Sequence, residues 1–168
     1  MYFRGGLYLF AFVEEYKQIR TFAIERIESI EKTRDPFEKP PDFSVESYLE
    51  SAFGVVKEDP FDVEIIFNKD IAEYVRSRVW HPSQIVREIG GGRINMKMHV
   101  GGEFELGSWI LSFGPSAVVV SPERLRHRVE AELSRALDNY RVEVTVAPTR
   151  KAKKVEAKKA AAAAARRN

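Results

Sequence analysis

Residues 93–120, RINMKMHVGGEFELGSWILSFGPSAVVV, carry the most regular pattern in the sequence and decide the fold. Their first eight residues alternate between polar and apolar side chains, which predicts a strand with one buried face. A helix over Glu103–Phe113 is predicted next, because it places Trp109 and Phe113 on one face, and a glycine–proline pair ends it. The apolar run Ala117–Val120 then predicts a fully buried strand.

The residues upstream of this stretch predict a strand, a helix and a second strand. Asp62–Phe67 alternates in the same way, and Asn68 is a residue type that caps helices, so a helix is predicted from there to Pro82. Gln84–Ile89 predicts the next strand. Gly90–Gly92 joins it to the strand of the opening stretch by a hairpin turn.

Downstream, a long helix is predicted, with Ser121 as its cap and a proline in its first turn. Its apolar stripe reaches about Tyr140, and Arg141–Val146 is a short β-like stretch. The order β-α-β-β-α-β is the ferredoxin-like arrangement. We therefore expect an α+β fold that includes a ferredoxin-like domain over 61–146 with an extra C-terminal helix.

The N-terminal residues predict strands of a separate sheet. LYLFAF, Leu7–Phe12, is rich in aromatic and aliphatic residues and predicts a buried strand. Met1–Phe3 precedes a turn signal and predicts the end of an earlier strand. Alternation in Gln18–Ile24 predicts a third strand, which bends and continues to Glu31. We assign 1–34 to this region.

Residues 35–60 predict a proline-rich linker that contains a short helix. Ser44 is a suitable first residue for that helix, and Gly54 is a typical C-terminal cap. The linker separates the two predicted regions of regular structure.

Composition excludes several classes of protein. The 168 residues are 44% hydrophobic and 31% charged, as expected for one ordinary globular domain or two small ones. There is no cysteine, which excludes disulfides, thiolate catalysis and cysteine-based metal sites. There is no run of 18 apolar residues, so we expect no membrane partner, and a cytoplasmic location fits these features.

Positive charge is concentrated at the C terminus. Thr149–Asn168 contains eight Lys or Arg and one acidic residue, a net charge of +7, whereas Met1–Pro148 has 19 basic and 24 acidic residues, a net charge of −5. We expect the Lys/Ala-rich tail, 147–168, to be disordered. Either it is an arm that binds nucleic acid non-specifically, or it is a solubilising extension or the product of a drifted reading frame. The cations assigned to the arm are Arg150, Lys151, Lys153, Lys154, Lys158 and Lys159.

Several segments resemble a known family. LYLFAF followed by RTFAIERI resembles the core of a WYL domain, with Leu7-Tyr8-Leu9 in place of the Trp-Tyr-Leu signature. SYLESAFGVVKEDP, YVRSRVWHPSQ and WILSFGPSAVVVSPERLRHRV resemble the C-terminal extension that follows WYL domains in bacterial transcription regulators. The resemblance covers about Gly6–Tyr140.

The resemblance implies part of a three-part protein, in which a helix-turn-helix domain precedes an Sm-like WYL barrel and its extension. This sequence shows no helix-turn-helix. It matches only about the second half of the WYL barrel, with two and a half strands. We therefore expect a partial barrel whose bare edges are covered by a second copy or a partner chain. A misassigned start, a truncation and a true short paralogue all fit this pattern.

The resemblance also implies candidate site residues, because WYL domains bind ligands, including nucleic acid, through a basic patch. Carried over by motif, the candidates are Tyr8, Arg20, Phe22 and Arg26, and the extension adds Arg76, Arg78 and His81. Aromatic rings can stack on bases and guanidinium groups can bind phosphate. The competing interpretation is that the aromatic residues are core residues and that the arginines pair with nearby glutamates.

These features lead to two hypotheses. In the first, the chain is the ligand-sensing and dimerisation module of a WYL-type regulator, with single-stranded nucleic acid or a small effector as its partner. In the second, it is a structural remnant or accessory protein whose only nucleic-acid affinity lies in the tail. No catalytic set, metal motif or cofactor motif occurs in the sequence, so we expect no enzymatic activity, metal or cofactor.

Overall fold

The computed structural model describes residues 1–141, which confirm an α+β fold with two antiparallel sheets and four α-helices. The predicted β-like stretch after Arg141 and the predicted disordered tail lie outside the described residues. The chain divides into two units, Met1–Leu133 and Ser134–Asn168. The described part of the second unit, Ser134–Arg141, is helical.

The N-terminal sheet has three strands in the order β1-β2-β3: β1 Tyr2–Phe3, β2 Gly6–Val13 and β3 Gln18–Ala23. It does not close into a barrel, and β1 and β3 are its edges. The predicted extension of the third strand to Glu31 is wrong, because a 3-10 turn, Ile24–Arg26, follows β3 directly.

The predicted short helix is α1, Val45–Tyr48, and the prediction that Gly54 caps its C-terminal end is wrong, because the helix ends at Tyr48. The Ser44 side chain accepts a hydrogen bond from the backbone N–H of Ser47 at 3.0 Å, as predicted for a helix cap. Hydrogen-bonded turns follow the helix, from Leu49 to Val45 and from Ala52 to Leu49, before the chain reaches the second sheet at Ala52.

The second sheet has the ferredoxin-like strand order, β5-β6-β4-β7, with antiparallel neighbours throughout, as predicted. Along the chain, its strands and the helices that pack on it are β4 Phe61–Phe67, α2 Lys69–Arg76, β5 Ile85–Glu88, β6 Ile94–Val100, α3 Glu103–Leu111, β7 Ala117–Ser121 and α4 Glu123–Arg141. Gly90, Gly91 and Gly92 form the β5–β6 turn with positive φ angles, which glycine adopts without strain.

One face of this sheet forms the core. Ile65, which is 0% exposed, lies opposite Met96 of β6 and Val119 of β7. Apolar side chains of α2, α3 and the first half of α4 join the same buried cluster. The alternation along β4 and β6 therefore buries one set of side chains, as the sequence predicted.

The helix ends differ from the sequence-based expectations. Helix α2 ends at Arg76 instead of near Pro82. Asn68 is at the predicted capping position, where its carbonyl accepts from the N–H groups of Ile71 and Ala72, but its side-chain amide donates to the carbonyl of Pro115 at 3.2 Å and does not bond to the helix. The carbonyl of Pro122 accepts the first hydrogen bonds of α4, from Leu125 and Arg126, so Pro122 takes the capping position predicted for the preceding serine.

The apolar stripe of α4 is only partly used for the core. Leu125 and Val129 are 0% and 8% exposed, whereas Leu133, one turn further on, is 44% exposed. The helix is therefore anchored to the core through its first two turns.

The linker after α1 is attached to the second sheet by backbone contacts. Ala52 forms a parallel bridge with Gly101, the N–H of Phe53 donates to the carbonyl of Gly101 at 2.9 Å, and the N–H of Gly101 donates to the carbonyl of Ser51. A Cβ atom at Gly101 would collide with the carbonyl of Glu58, so the approach requires glycine.

We expect Ile65→Ala to lower the free energy of unfolding by about 2–5 kcal/mol, because it opens a cavity in a close-packed core. Urea denaturation monitored by circular dichroism measures this change. The matched control is Ile85→Ala on edge strand β5, where the side chain is 55% exposed. The control should change stability by less than about 0.5 kcal/mol, and equal losses in both variants would contradict the assigned core.

Candidate functional site

The register of β2 and β3 separates the predicted site residues onto two faces of the N-terminal sheet. Phe22 lies opposite Leu9 and Arg20 opposite Ala11, so these residues share one face. Tyr8 lies opposite Ala23, on the other face. Tyr8 and Phe22 therefore lie on opposite faces, because successive residues of a strand point in opposite directions.

Arg20 is held in place by two neighbours on the exposed face. Its guanidinium lies 3.8 Å from the centre of the Tyr16 ring, which is a cation–π contact. The side-chain oxygen of Gln18, with its amide oriented to match, accepts from the same guanidinium at 2.9 and 3.1 Å. An arginine that is already ordered loses less freedom when it binds a ligand.

The same face carries exposed apolar side chains next to Arg20. Phe22 is 39% exposed, and Leu7 and Leu9 are 52% and 46% exposed. Arg26 lies in the exposed 3-10 turn that follows β3. We call the set Leu7, Leu9, Arg20 and Phe22 the β3 face. It combines one ordered cation, one accessible aromatic ring and an apolar floor.

The opposite face of the sheet packs against α1 and the linker. The Tyr48 ring lies 5.7 Å from that of Phe10, and the Tyr48 hydroxyl donates to the carbonyl of Ile19 at 2.7 Å. The Thr21 hydroxyl donates to the carbonyl of Val55 at 2.9 Å. Burial raises the pKa of Tyr48, an effect that the nearby positive charge of Arg20 partly offsets. These contacts fix the orientation of the β3 face.

A groove of about 980 Å³ lies beside the β3 edge, between that strand and residues 56–60. Arg20 and Thr21 belong to its strand side. Lys57 and Asp59 belong to its linker side, where the Lys57 ammonium lies 4.7 Å from the centre of the Tyr48 ring. The groove therefore presents both signs of charge and is contiguous with Arg20.

The arginines of the extension contact other residues of the chain. The Arg76 guanidinium forms ion pairs with Glu73 and Glu88, and the hydrogen bond to Glu73 is the main reason that the pKa of Arg76 is raised. Arg78 lies 3.7 Å from the centre of the Tyr74 ring and donates to the carbonyl of the same residue at 2.8 Å. Both guanidinium groups thus have partners on or next to α2.

His81 is buried, 6% exposed, and joins the extension to the linker. Its Nε2 atom lies 3.1 Å from the carbonyl of Glu50, and its Nδ1 atom lies 2.7 Å from the hydroxyl of Ser83. A neutral ring with the proton on Nε2 satisfies both contacts. Burial lowers the pKa of His81, so the neutral ring is the favoured form.

Two contributors to the site were missed in the sequence, Tyr16 and Tyr48. Tyr16 lies in a turn and precedes Arg20 by four residues, a spacing that carries no signal unless the turn geometry is known. The hydroxyl of Tyr48, in α1, reaches β3 across 29 residues of sequence, and no local pattern indicates such a contact.

The described residues show no cluster of three or more histidine, aspartate or glutamate side chains arranged to hold a metal ion. Among the helices within residues 1–141, none has the length and apolar character that crossing a membrane requires.

Comparison with known proteins supports the resemblance over the second sheet. The family model described as the WCX domain, a C-terminal domain associated with WYL domains, matches residues 59–137. This range overlaps the segments that resemble the WYL-associated extension. No match is found among the curated proteins.

Among solved structures, the chain is similar to the protein titled "Proteasome accessory factor B/C (PafBC) of Arthrobacter aurescens". The TM-score is 0.47 and the sequence identity is 19%, over 88% of this chain. This chain spans 22% of the length of that protein.

We expect the stability of the protein to fall between pH 7 and pH 5 and this loss to shrink in His81→Gln. Because burial holds the pKa of His81 below its ordinary value of 6.5, the unfolded chain binds more protons in the window between the two pKa values. The contribution of His81 is therefore present above about pH 6.5 and is lost as the pH falls through its folded-state pKa.

Urea denaturation at both pH values measures this difference. His127→Gln serves as the control, since His127 is exposed on α4. If both variants kept the full pH dependence of the unmodified chain, the role assigned to His81 would be wrong.

Proposed function

We propose that this chain is the effector-sensing module of a WYL-type transcriptional regulator and that the β3 face binds single-stranded nucleic acid or a nucleotide-like effector. The single observation that carries the proposal is the placement of Arg20 and Phe22 side by side on one exposed face, with Arg20 ordered by Tyr16 and Gln18. The WCX match over 59–137 supports the regulator context.

Nucleic-acid chemistry fits the groups on this face. A guanidinium binds phosphate through paired N–H donors, and an exposed ring stacks on any base. Arg26 follows β3 directly and offers a second cation close to Arg20 in the chain. Arg76, Arg78 and His81 contribute less in this proposal, because their polar atoms already have partners within the protein.

The proposal includes a second chain that completes the open sheet. The N-terminal sheet has free edges at β1 and β3, and Leu7 and Leu9 are exposed on the β3 face. Three strands with such edges gain stability from further pairing. A second copy of this chain or a regulator subunit with its own DNA-binding domain would supply the missing strands, in a cytoplasmic setting.

The second candidate is that nucleic-acid affinity belongs only to the basic tail. The charge distribution favours this candidate, because residues 149–168 carry +7 and residues 1–148 carry −5. In that case the described domain would be a structural remnant or accessory domain without a specific ligand.

We expect Phe22→Ala to weaken binding of a labelled single-stranded oligonucleotide by about 5- to 100-fold, because stacking contributes about 1–3 kcal/mol per base. Arg20→Ala should weaken binding and make the slope of log affinity against log salt shallower by about 0.7, the contribution of one phosphate contact on a single strand. Fluorescence anisotropy measures both effects. The matched control is Arg87→Ala on exposed strand β5, and equal affinity in all three variants would exclude the β3 face.

We expect a chain ending at Pro148 to retain measurable affinity for the same oligonucleotide with a shallower salt dependence. Removing the tail removes eight cations, and each phosphate contact contributes about −0.7 to the slope for a single strand. Anisotropy at low and physiological salt measures the slope. Complete loss of binding after truncation would support the tail-only candidate instead.

A further inference from the structure

A second cavity, of about 690 Å³, lies where the N-terminal sheet, α1 and the extension meet. It is separate from the groove beside β3, and its volume is in the usual range for small-molecule pockets. Apolar and aromatic residues form most of its wall: Met1, Phe3, Val45, Leu49, Ala52, Phe53, Trp80 and Pro82. We call it the Trp80 cavity.

The floor of the Trp80 cavity is ordered by the core beneath it. Ala52 and Phe53 are 8% and 7% exposed. The ring of Trp80 lies 4.9 Å from that of Trp109, and the ring of Phe53 lies 5.0 Å from the same indole, centre to centre. The aromatic wall is therefore continuous with the hydrophobic core and is fixed before any ligand arrives.

The charge at the cavity is mainly negative. Glu46 and Glu50 are the acidic residues among those that line the cavity, and both are exposed. Neither carboxylate forms an ion pair with another described residue, and no lysine or arginine lines the cavity. Met1 also lines the cavity, and its ammonium group donates to the carbonyl of Tyr8, which is not a lining residue, at 2.9 Å.

The buried polar group in the wall has no free hydrogen-bonding capacity for a ligand. The two ring nitrogens of His81 are engaged by Glu50 and Ser83. Recognition in this cavity therefore depends on shape, on the aromatic faces and on the two carboxylates.

We propose that the Trp80 cavity binds a small organic cation with an aromatic or aliphatic body. The apolar body would contact Phe53 and Trp80, and the cationic group would lie against the aromatic faces and near Glu46 and Glu50. Aromatic rings and carboxylates both attract cations, whereas an anion would be repelled by the same carboxylates. This site goes beyond the proposed nucleic-acid function and does not depend on it.

The test uses the full chain and three probes of similar size and different charge, namely benzylammonium, benzyl alcohol and benzoate. Trp80 lines the cavity and its ring contacts that of Trp109, the only other tryptophan of the sequence, so tryptophan fluorescence reports on binding. Equilibrium dialysis provides a second measurement that is independent of fluorescence. We expect benzylammonium to bind about two- to tenfold more tightly than benzyl alcohol, and benzoate to bind most weakly.

The variant Glu46→Gln/Glu50→Gln removes the charges of the two carboxylates and keeps the side-chain size. It should lower the affinity for benzylammonium by about two- to tenfold, toward that for benzyl alcohol, and leave the affinity for benzyl alcohol unchanged. The matched control is Glu15→Gln/Glu28→Gln, which makes the same change in net charge at exposed residues outside the cavity. This control should bind benzylammonium as the unmodified chain does.

Failure to bind any probe would overturn the proposal. So would equal affinity for benzylammonium and benzyl alcohol, or the same loss in the control variant, because each result would remove the role of the two carboxylates. Residues 1–148, which contain the cavity, carry a net charge of −5, so general electrostatic attraction would also favour the cation, and the comparison with the Glu15→Gln/Glu28→Gln control separates that effect from the local one. Loss of oligonucleotide binding in the β3-face variants would leave this result unchanged.

Discussion

The carboxylate of Glu105 is the contact on which the arrangement of the two sheets depends. It accepts from the backbone N–H of Val55 at 3.0 and 3.1 Å and from that of Val56 at 3.1 Å. Hydrogen bonds to a charged group contribute about 1.5–3 kcal/mol each, more than neutral ones. Since the carbonyl of Val55 in turn accepts from Thr21 of β3, one side chain of α3 connects the core of the second sheet to the N-terminal sheet.

Much of the fold could be predicted from the sequence because its signals are local. The alternation in β4 and β6, the glycine turn between β5 and β6 and the apolar run of β7 each specify one element, and their order specifies the ferredoxin-like topology. Long sequence segments in the same region resemble the extension of WYL-type regulators, and the WCX match over 59–137 overlaps them.

The candidate site was less predictable because it depends on contacts between distant residues. The resemblance to WYL domains indicated Tyr8, Arg20 and Phe22 as candidate site residues, but only the register of β2 and β3 shows which of them share a face. The contacts of Arg78 and His81 could not be predicted either. Arg78 bonds to the carbonyl of Tyr74 and His81 to that of Glu50, and both contacts exist only in the folded chain. Helix ends were misplaced for the same reason, because tertiary contacts override weak local preferences.

Gly54, which lies beside the Glu105 contact, has a consequence for amide hydrogen exchange. A Cβ atom at Gly54 would collide with the Glu105 carboxylate. Because Gly54 has no side chain, the carboxylate can reach the backbone N–H groups of the linker. The Val55 and Val56 amides are thus protected by a side chain rather than by a sheet or a helix. Their exchange rate follows the opening of this one contact, and exchange as slow as that of the β4 and β6 amides would mean that the contact opens only when the second sheet unfolds.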